Sequence, residues 1–342
     1  MEVIFDKMSI SLASCIDSIE IRSFINSEWK ERHILARDQN FFIYEHHNKD
    51  QINFVISKNS NGRINGVLGF IPSALGEVSD VCTVIWKVSK NSQNPILGIQ
   101  LLQYLNNNIN IRTLLSVGIN KKTIGIYKYL GFFTGRLKHY VLLNKNIQEF
   151  KIGKIPDLKF SNIIYSGVED LNFAKYIKNE SDLLSFQFEK YKHNIPYKNK
   201  DYFIKRYFQH PIYQYDVVGI YNSKSLIGVF VMRVQAYNGA KILRIVDFVG
   251  EETSIHCFGK FILETIKKEC YEYADFYCFG LDNKVLNKAG FSLVDSFEED
   301  VIIPNYFYPF LQKNISIYFF ADTKNIKYLN LFKGDGDQDR PN

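Results

Sequence analysis

A phenol at Tyr127, a glutamine and a glycine at Gln93 and Gly98, and a scatter of histidines and carboxylates near the start of the chain are the residues best suited to chemistry. The run Gln93-Asn94-Pro95-Ile96-Leu97-Gly98 follows an apolar, β-branched stretch over 81–88. It precedes a stretch in which Leu97, Leu101, Leu105 and Ile109 recur every four residues. That pattern predicts a strand, a polar loop and a helix, with Asn94 as the cap and Pro95 in the first turn. A helix starting directly behind a buried strand presents unpaired N–H groups and the positive end of its dipole, which suits a phosphate or pyrophosphate. A second apolar strand over 114–119 leads through Asn120 into a short helix carrying Ile124, Tyr127 and Leu130, and Gly131 is placed to end it. Strand ends, anion cradle and phenol are then expected at one crevice, where a phenol beside a leaving group is a proton donor.

Other titratable residues compete for the role of base. His33, Asp38, Glu45, His46 and His47 lie in a segment with helical apolar spacing, and Asp247 stands in an otherwise apolar strand of the second half. A mid-strand acid is costly unless paired or used. For each of these a structural role is the competing explanation, because most titratable groups bordering a crevice are not the base. The stretch 193–215 is dense in aromatic rings and carries Lys198, Lys200, Lys205 and Arg206, which can stack a base and hold a diphosphate. A helix that buries its rings and leaves its charges in solvent explains the same letters.

The loop 93–98 with Leu101-Leu102 resembles the coenzyme A pyrophosphate loop of GCN5-related N-acetyltransferases, whose pattern is Gln/Arg-x-x-Gly-x-Gly/Ala. Gln93 and Gly98 match, and Ile96 replaces the middle glycine. Asn120 with Tyr127-Lys128-Tyr129-Leu130-Gly131-Phe132 is similar to the second motif of that family. The resemblance implies an acyl-CoA co-substrate held by Trp86, Lys87, Val88, Gln93, Asn94, Ile96, Leu97, Gly98, Ile99, Asn120 and Tyr127. It also implies Tyr127 as the acid that protonates the departing thiolate. The base is then sought among His33, Asp38 and Asp247, and the acceptor contacts among His33, Arg37, Glu45, His46, Lys198, Arg206, Arg244 and Asp247.

Longer strings, HILARD over 33–38, Trp86-Lys87-Val88 and RIVDF over 244–248, are similar to N-acyltransferases of bacterial surface-polysaccharide pathways. That likeness implies a dTDP-type nucleotide-linked amino sugar as acceptor and an acetyl or short hydroxyacyl donor. Three alternatives stay open. One is a two-domain aminoacyl or acyl transferase acting on peptidoglycan precursor or protein, and another is a non-catalytic acyl-CoA-binding module, to which the departure at Ile96 points. The third is a nucleotide-binding protein of another class, against which stands the absence of any G-x-G-x-x-G or G-x-x-x-x-G-K-[ST] string.

The elements that would position these groups come in two copies. Gly228-Val229-Phe230 matches Gly66-Val67-Leu68, Asp247 falls at the place of Trp86, Gly259 to Leu263 matches Gly98 to Leu102, and Gly280-Leu281-Asp282 matches Gly118-Ile119-Asn120, all at an offset of 161 or 162. Such constancy predicts an α/β chain with mixed central sheets flanked by helices, in two tandem domains. The boundary is expected in the polar stretch near 151–159, giving a CoA-binding domain over 1–150 and a second over 151–332 that covers the acceptor. The second copy has Glu251 and Glu252 ahead of its loop, which would repel a pyrophosphate, and Leu286 at the tyrosine position.

At 342 residues, 46% hydrophobic and 23% charged, the chain is long enough for two full cores and is not of disordered type. The net charge of +6 is spread along the chain, which argues against a nucleic-acid face and suits a small polyanion. No apolar run reaches the roughly 20 residues of a membrane span, so a cytoplasmic protein, a monomer or weak homodimer without membrane insertion, is expected. The five cysteines form no C-x-x-C pair, so no metal is expected and buried thiols are. The polar, Gly-rich tail 333–342, which includes GDGDQDRPN, is expected to be disordered.

Overall fold

The structure, a computed structural model, describes residues 9–74, 78–156, 172–223, 225–296 and 300–341. Two mixed sheets carry it. The first runs in the order Ser9–Ser14, Gln51–Lys58, Ile64–Pro72, Ser79–Val88, Ile111–Ile119, Tyr318–Ala321, Phe133–Arg136. The second runs Ser292–Leu293, Lys138–Leu143, Tyr273–Phe279, Ala240–Gly250, Ser225–Tyr237, Asp216–Asn222, Asn172–Ile177. Each sheet has a parallel pair at its centre, Ser79–Val88 with Ile111–Ile119 and Ala240–Gly250 with Tyr273–Phe279. In each, a helix connects the parallel strands, Leu97–Asn108 in the first and Ser254–Lys268 in the second. The repeat read from residue offsets is therefore a repeat of elements. Among the described residues no helix is long and apolar enough to cross a membrane.

The helix Leu97–Asn108 forms because its leucines fall on one face, where Leu97, Leu101, Leu102 and Leu105 pack against Val81, Leu114, Tyr127 and Phe320. It begins later than the expected cap. Asn94 makes a turn ahead of it, its Oδ1 accepting from the Ile96 amide at 3.1 Å and its carbonyl from the Leu97 amide at 3.3 Å, so Ile96 is the N-cap. Near the N-terminus the helical spacing over 17–37 is broken into Ser18–Phe24, a wider π turn at Ile25–Trp29, and Ile34–Arg37. The strand expected at 10–12 lies within Ser9–Ser14, and the alternative at 3–5 falls outside the described residues.

The two sheets do not divide in sequence at residue 150. Lys138–Leu143 pairs with Tyr273–Phe279 in the second sheet, and Tyr318–Ala321 inserts between Ile111–Ile119 and Phe133–Arg136 in the first. Each half thus lends the other a strand. Short apolar runs such as KHYVLL and YFFA specify buried strands, but nothing local in them names the partner.

The expected disorder of the tail is overturned. Residues 333–341 run back between the sheets, with Lys333, Asp335 and Asp339 each 2% exposed. Alternation of glycine with aspartate made the stretch read as unfolded, whereas its carboxylates meet buried cations supplied by distant segments. The cysteines are all free, with Cys82, Cys257 and Cys278 buried as expected, and Cys15 and Cys270 exposed against expectation.

Candidate active site

The two central strands of the first sheet part company. Pairing between Ser79–Val88 and Ile111–Ile119 ends at Cys82 and Leu115, and a last bridge runs from Ser116 Oγ to the Thr83 carbonyl at 2.7 Å, while both strands continue beyond it. At the far end of Ser79–Val88 the chain turns through loop 89–96 into the helix Leu97–Asn108. The Leu97 and Gln100 amides are bonded to Asn94 and Ile96 carbonyls. The intervening Gly98 and Ile99 amides belong to the first turn, whose donors the helix itself does not use. Trp86 fixes this turn against the strand, its Nε1 donating to the Gly98 carbonyl at 3.1 Å, and a methyl added at Gly98 would lie 3.3 Å from that nitrogen.

These residues fit a pyrophosphate. Loop 91–98 carries no acid, Gln93 and Ile96 are exposed, and Lys87 and Val88 end the strand beside it. Glu28 engages only the near end of the loop, accepting from Ser89 Oγ at 3.1 Å and the Lys90 amide at 3.3 Å. Asn120 caps the turn Lys121–Thr123 by accepting from the Lys122 amide at 2.9 Å. Tyr127 follows on Ile124–Tyr129. Its ring stacks on Phe320 at 4.2 Å and faces Trp86 at 5.9 Å. Only 4% of Tyr127 is exposed, and burial, partly opposed by a hydrogen bond with Thr123, pushes its phenol up to about 12. It is therefore a protonated group at neutral pH.

The second copy is closed at the corresponding place. Pairing of its parallel strands ends at Ile245 and Phe276, and beyond that Leu331 and Phe332 pair with Phe279 and Cys278 while the Gly334 amide donates to the Val246 carbonyl at 2.7 Å. Its helix start is spent on its own loop: the Ser254 and Ile255 amides donate to the Glu251 and Glu252 carbonyls, and Ser254 is fully buried.

Of the acceptor-side candidates, most are committed to one another. Asp38 caps Gln39–His46, accepting from the Phe41 amide at 2.9 Å, and Arg37 beside it is exposed. Asp247 accepts from Lys198 Nζ and Tyr207 Oη, each at 2.5 Å, and from the Phe248 amide at 2.8 Å. Lys198 also meets Asp335 at 2.8 Å. Arg244 grips Asp275 through two bonds of 3.0 and 2.7 Å. Burial favours a neutral Glu45, but Arg340 at 2.6 Å, His46 and Arg206 together hold its carboxyl well below the usual range. His46, packed between Phe42 and Phe54, is held down by burial. The rings of 193–215 follow the core reading, with Tyr202, Phe203 and Tyr207 buried, but Lys198 and Arg206 are buried as well rather than solvated.

His33 and Arg244 do share a cavity of about 260 Å³, together with Arg233, Lys333, Asp337 and Arg340. His33 Nδ1 accepts from the Leu35 amide at 3.3 Å, which leaves Nε2 to carry the proton of the neutral ring. Burial, reinforced by Arg340, brings His33 down to about 4. In that tautomer it offers the cavity a donor. Tyr213 lies under the Arg233 guanidinium at 4.0 Å, and burial with Arg244 nearby brings Lys333 down to about 7. Arg233, Lys333, Asp337 and Arg340 escaped the sequence reading. No local signal marked them: the partners of Arg233 and Arg340, Asp339 and Glu45, lie in distant segments.

No family model matches the chain, and no curated protein matches it by sequence. Solved structures do match in fold. A GCN5-related N-acetyltransferase from Anabaena variabilis ATCC 29413 superposes with a TM-score of 0.59 at 11% identity, covering 92% of this chain and 72% of that one. One from Kribbella flavida gives 0.52 at 9% identity, covering 94% and 72%. The fold is thus that of two tandem GCN5-related N-acetyltransferase-like domains.

Proposed function

We propose that the protein is an acyl-CoA-dependent N-acyltransferase whose first half binds the thioester. The observation that carries this reading is the parted strand pair Ser79–Val88 and Ile111–Ile119, with a helix start at its mouth whose Gly98 and Ile99 amides face a loop free of acids. The likeness in fold supports the same reaction class.

Acyl transfer needs a neutral amine, a polarised carbonyl and a proton for the leaving sulfur. Backbone amides at the end of Ser79–Val88 would polarise the carbonyl, and Gly98 and Ile99 would hold the pyrophosphate. The amine nitrogen bonds the acyl carbon as the C–S bond breaks, and the electron pair leaves with sulfur, which takes the Tyr127 proton. A phenol near 12 stays protonated until that moment.

For the acceptor, the cations of the lining, Arg233, Arg244, Lys333 and Arg340, outnumber its carboxylates, Asp337 and Asp339, which favours an anion, and the exposed Tyr306 offers a face for a ring. A nucleotide-linked amino sugar of the dTDP type combines both features with the required amine. This reading places the protein in cytoplasmic synthesis of a bacterial surface polysaccharide. The cavity is smaller than the few hundred Å³ usual for a whole ligand of that size, so part of the acceptor would extend outward. Calorimetric titration with CoA and with a dTDP-amino sugar, run separately and followed by a turnover assay with acetyl-CoA, tests it. Binding of both and amide formation are expected. CoA binding without transfer would favour a binding module, and binding of neither would remove the enzyme.

A further inference from the structure

Of the acids considered as base, Asp247 and Glu45 are engaged by buried partners, as are the tail acids Asp335 and Asp339, and Asp38 caps the helix Gln39–His46. Asp247 is used by Lys198, Tyr207 and the Phe248 amide, and Asp335 by Lys198 and the Phe332 amide at 2.7 Å. Asp339 is held by two Arg233 nitrogens at 2.8 and 2.9 Å and by Tyr215 Oη at 2.9 Å. Glu45 is locked under Arg340 and Arg206. The side chains of Glu45, Asp247, Asp335 and Asp339 are between 0% and 3% exposed.

Asp337 differs from all of them. Its side chain is 21% exposed and lines the cavity shared by His33, Arg233, Arg244, Lys333 and Arg340. Its partners, Gln338 Nε2 at 3.2 Å on one oxygen and Arg340 Nη1 at 3.1 Å on the other, belong to the same tail, and each oxygen keeps a further lone pair. Its neighbours in sequence straddle the parted strands. A methyl added at Gly336, which adopts φ 63°, would lie 2.6 Å from Cys82 Sγ on one strand. Gln338 packs so closely on Gly118 of the other strand that a side chain there would collide with it. Asp337 is thereby held between contacts to both strands while its side chain lines the cationic cavity.

We propose that Asp337 is the catalytic residue that receives the acceptor amine, hydrogen-bonding its N–H and taking that proton as the C–N bond forms. This rests on the N-acyltransferase reading. The proton balance closes: one proton passes from nitrogen to the Asp337 carboxylate, one from Tyr127 to sulfur, and water returns the first to the tyrosinate. The tail is then a working wall of the acceptor site, and its aspartates divide between anchoring (Asp335, Asp339) and chemistry (Asp337).

The test uses the full chain, acetyl-CoA and a dTDP-amino sugar. Asp337→Asn should lower kcat about 100-fold or more, as loss of a general base does, with CoA affinity within twofold of wild type by calorimetry. KM for acetyl-CoA should stay within twofold while kcat falls, whereas a merely structural role would move both. Should the Asn variant fail to fold, Asp337→Glu reads the same claim: it keeps the charge, and kcat should drop while CoA binding holds. A variant with wild-type kcat, or one whose kcat and KM for acetyl-CoA change together, overturns the proposal and leaves the acyltransferase reading standing. A wild type that transfers nothing overturns that reading and takes this proposal with it.

Discussion

Tyr127 shows how one side chain can be both core and reagent. Its ring is a packing surface for Phe320 and Trp86, and its hydroxyl meets Thr123. Replacing it by phenylalanine removes one hydroxyl and keeps the ring. Tyr127→Phe should therefore lower kcat by about 100-fold, the usual scale for a general acid, while CoA affinity and melting temperature stay close to wild type. Steady-state kinetics beside calorimetry checks this, and an unchanged kcat would relieve the tyrosine of the acid role. His33 illustrates the converse. Its Nδ1 is occupied by the Leu35 amide and its charge is suppressed by burial and Arg340, which suits it to orienting an acceptor.

Among the elements, the inserted strand Tyr318–Ala321 has the widest reach. It separates Ile111–Ile119 from Phe133–Arg136, and Phe320 stacks on Tyr127 at 4.2 Å and on Phe132 at 5.3 Å. Phe320→Ala should destabilise the protein by about 3–5 kcal/mol, the range for emptying a fully buried aromatic site. It should also reduce kcat by loosening Tyr127, even where the fold survives; denaturant melts paired with kinetics report both, and a loss under 1 kcal/mol would contradict the packing. This element also marks what a sequence does and does not disclose. The run from strand through loop 89–96 to the helix Leu97–Asn108 and on to Tyr127 was readable, because period and capping are local properties. That Tyr318–Ala321 would complete the first sheet was not, since YFFA suits any buried strand. For the same reason Asp339 read as a disordered residue: its partner Arg233 stands 106 positions away, and composition carries no memory of such a distance.

For the whole molecule, duplication followed by divergence explains the division of labour. Both halves have a parallel pair and a connecting helix, yet Leu331, Phe332 and Gly334 fill the later splay while the earlier one stays parted. The same tail then crosses to the earlier half, where Gly336 and Gln338 meet its two strands. Closing one site and walling the other are thus a single structural event, made possible because each sheet already contains a strand from the opposite half. Hydrogen-exchange mass spectrometry with saturating CoA tests this most directly. Slowed exchange is expected in peptides spanning 86–100 and 118–130, with none in 251–263. Protection confined to 251–263, or exchange unaltered throughout, would contradict the account.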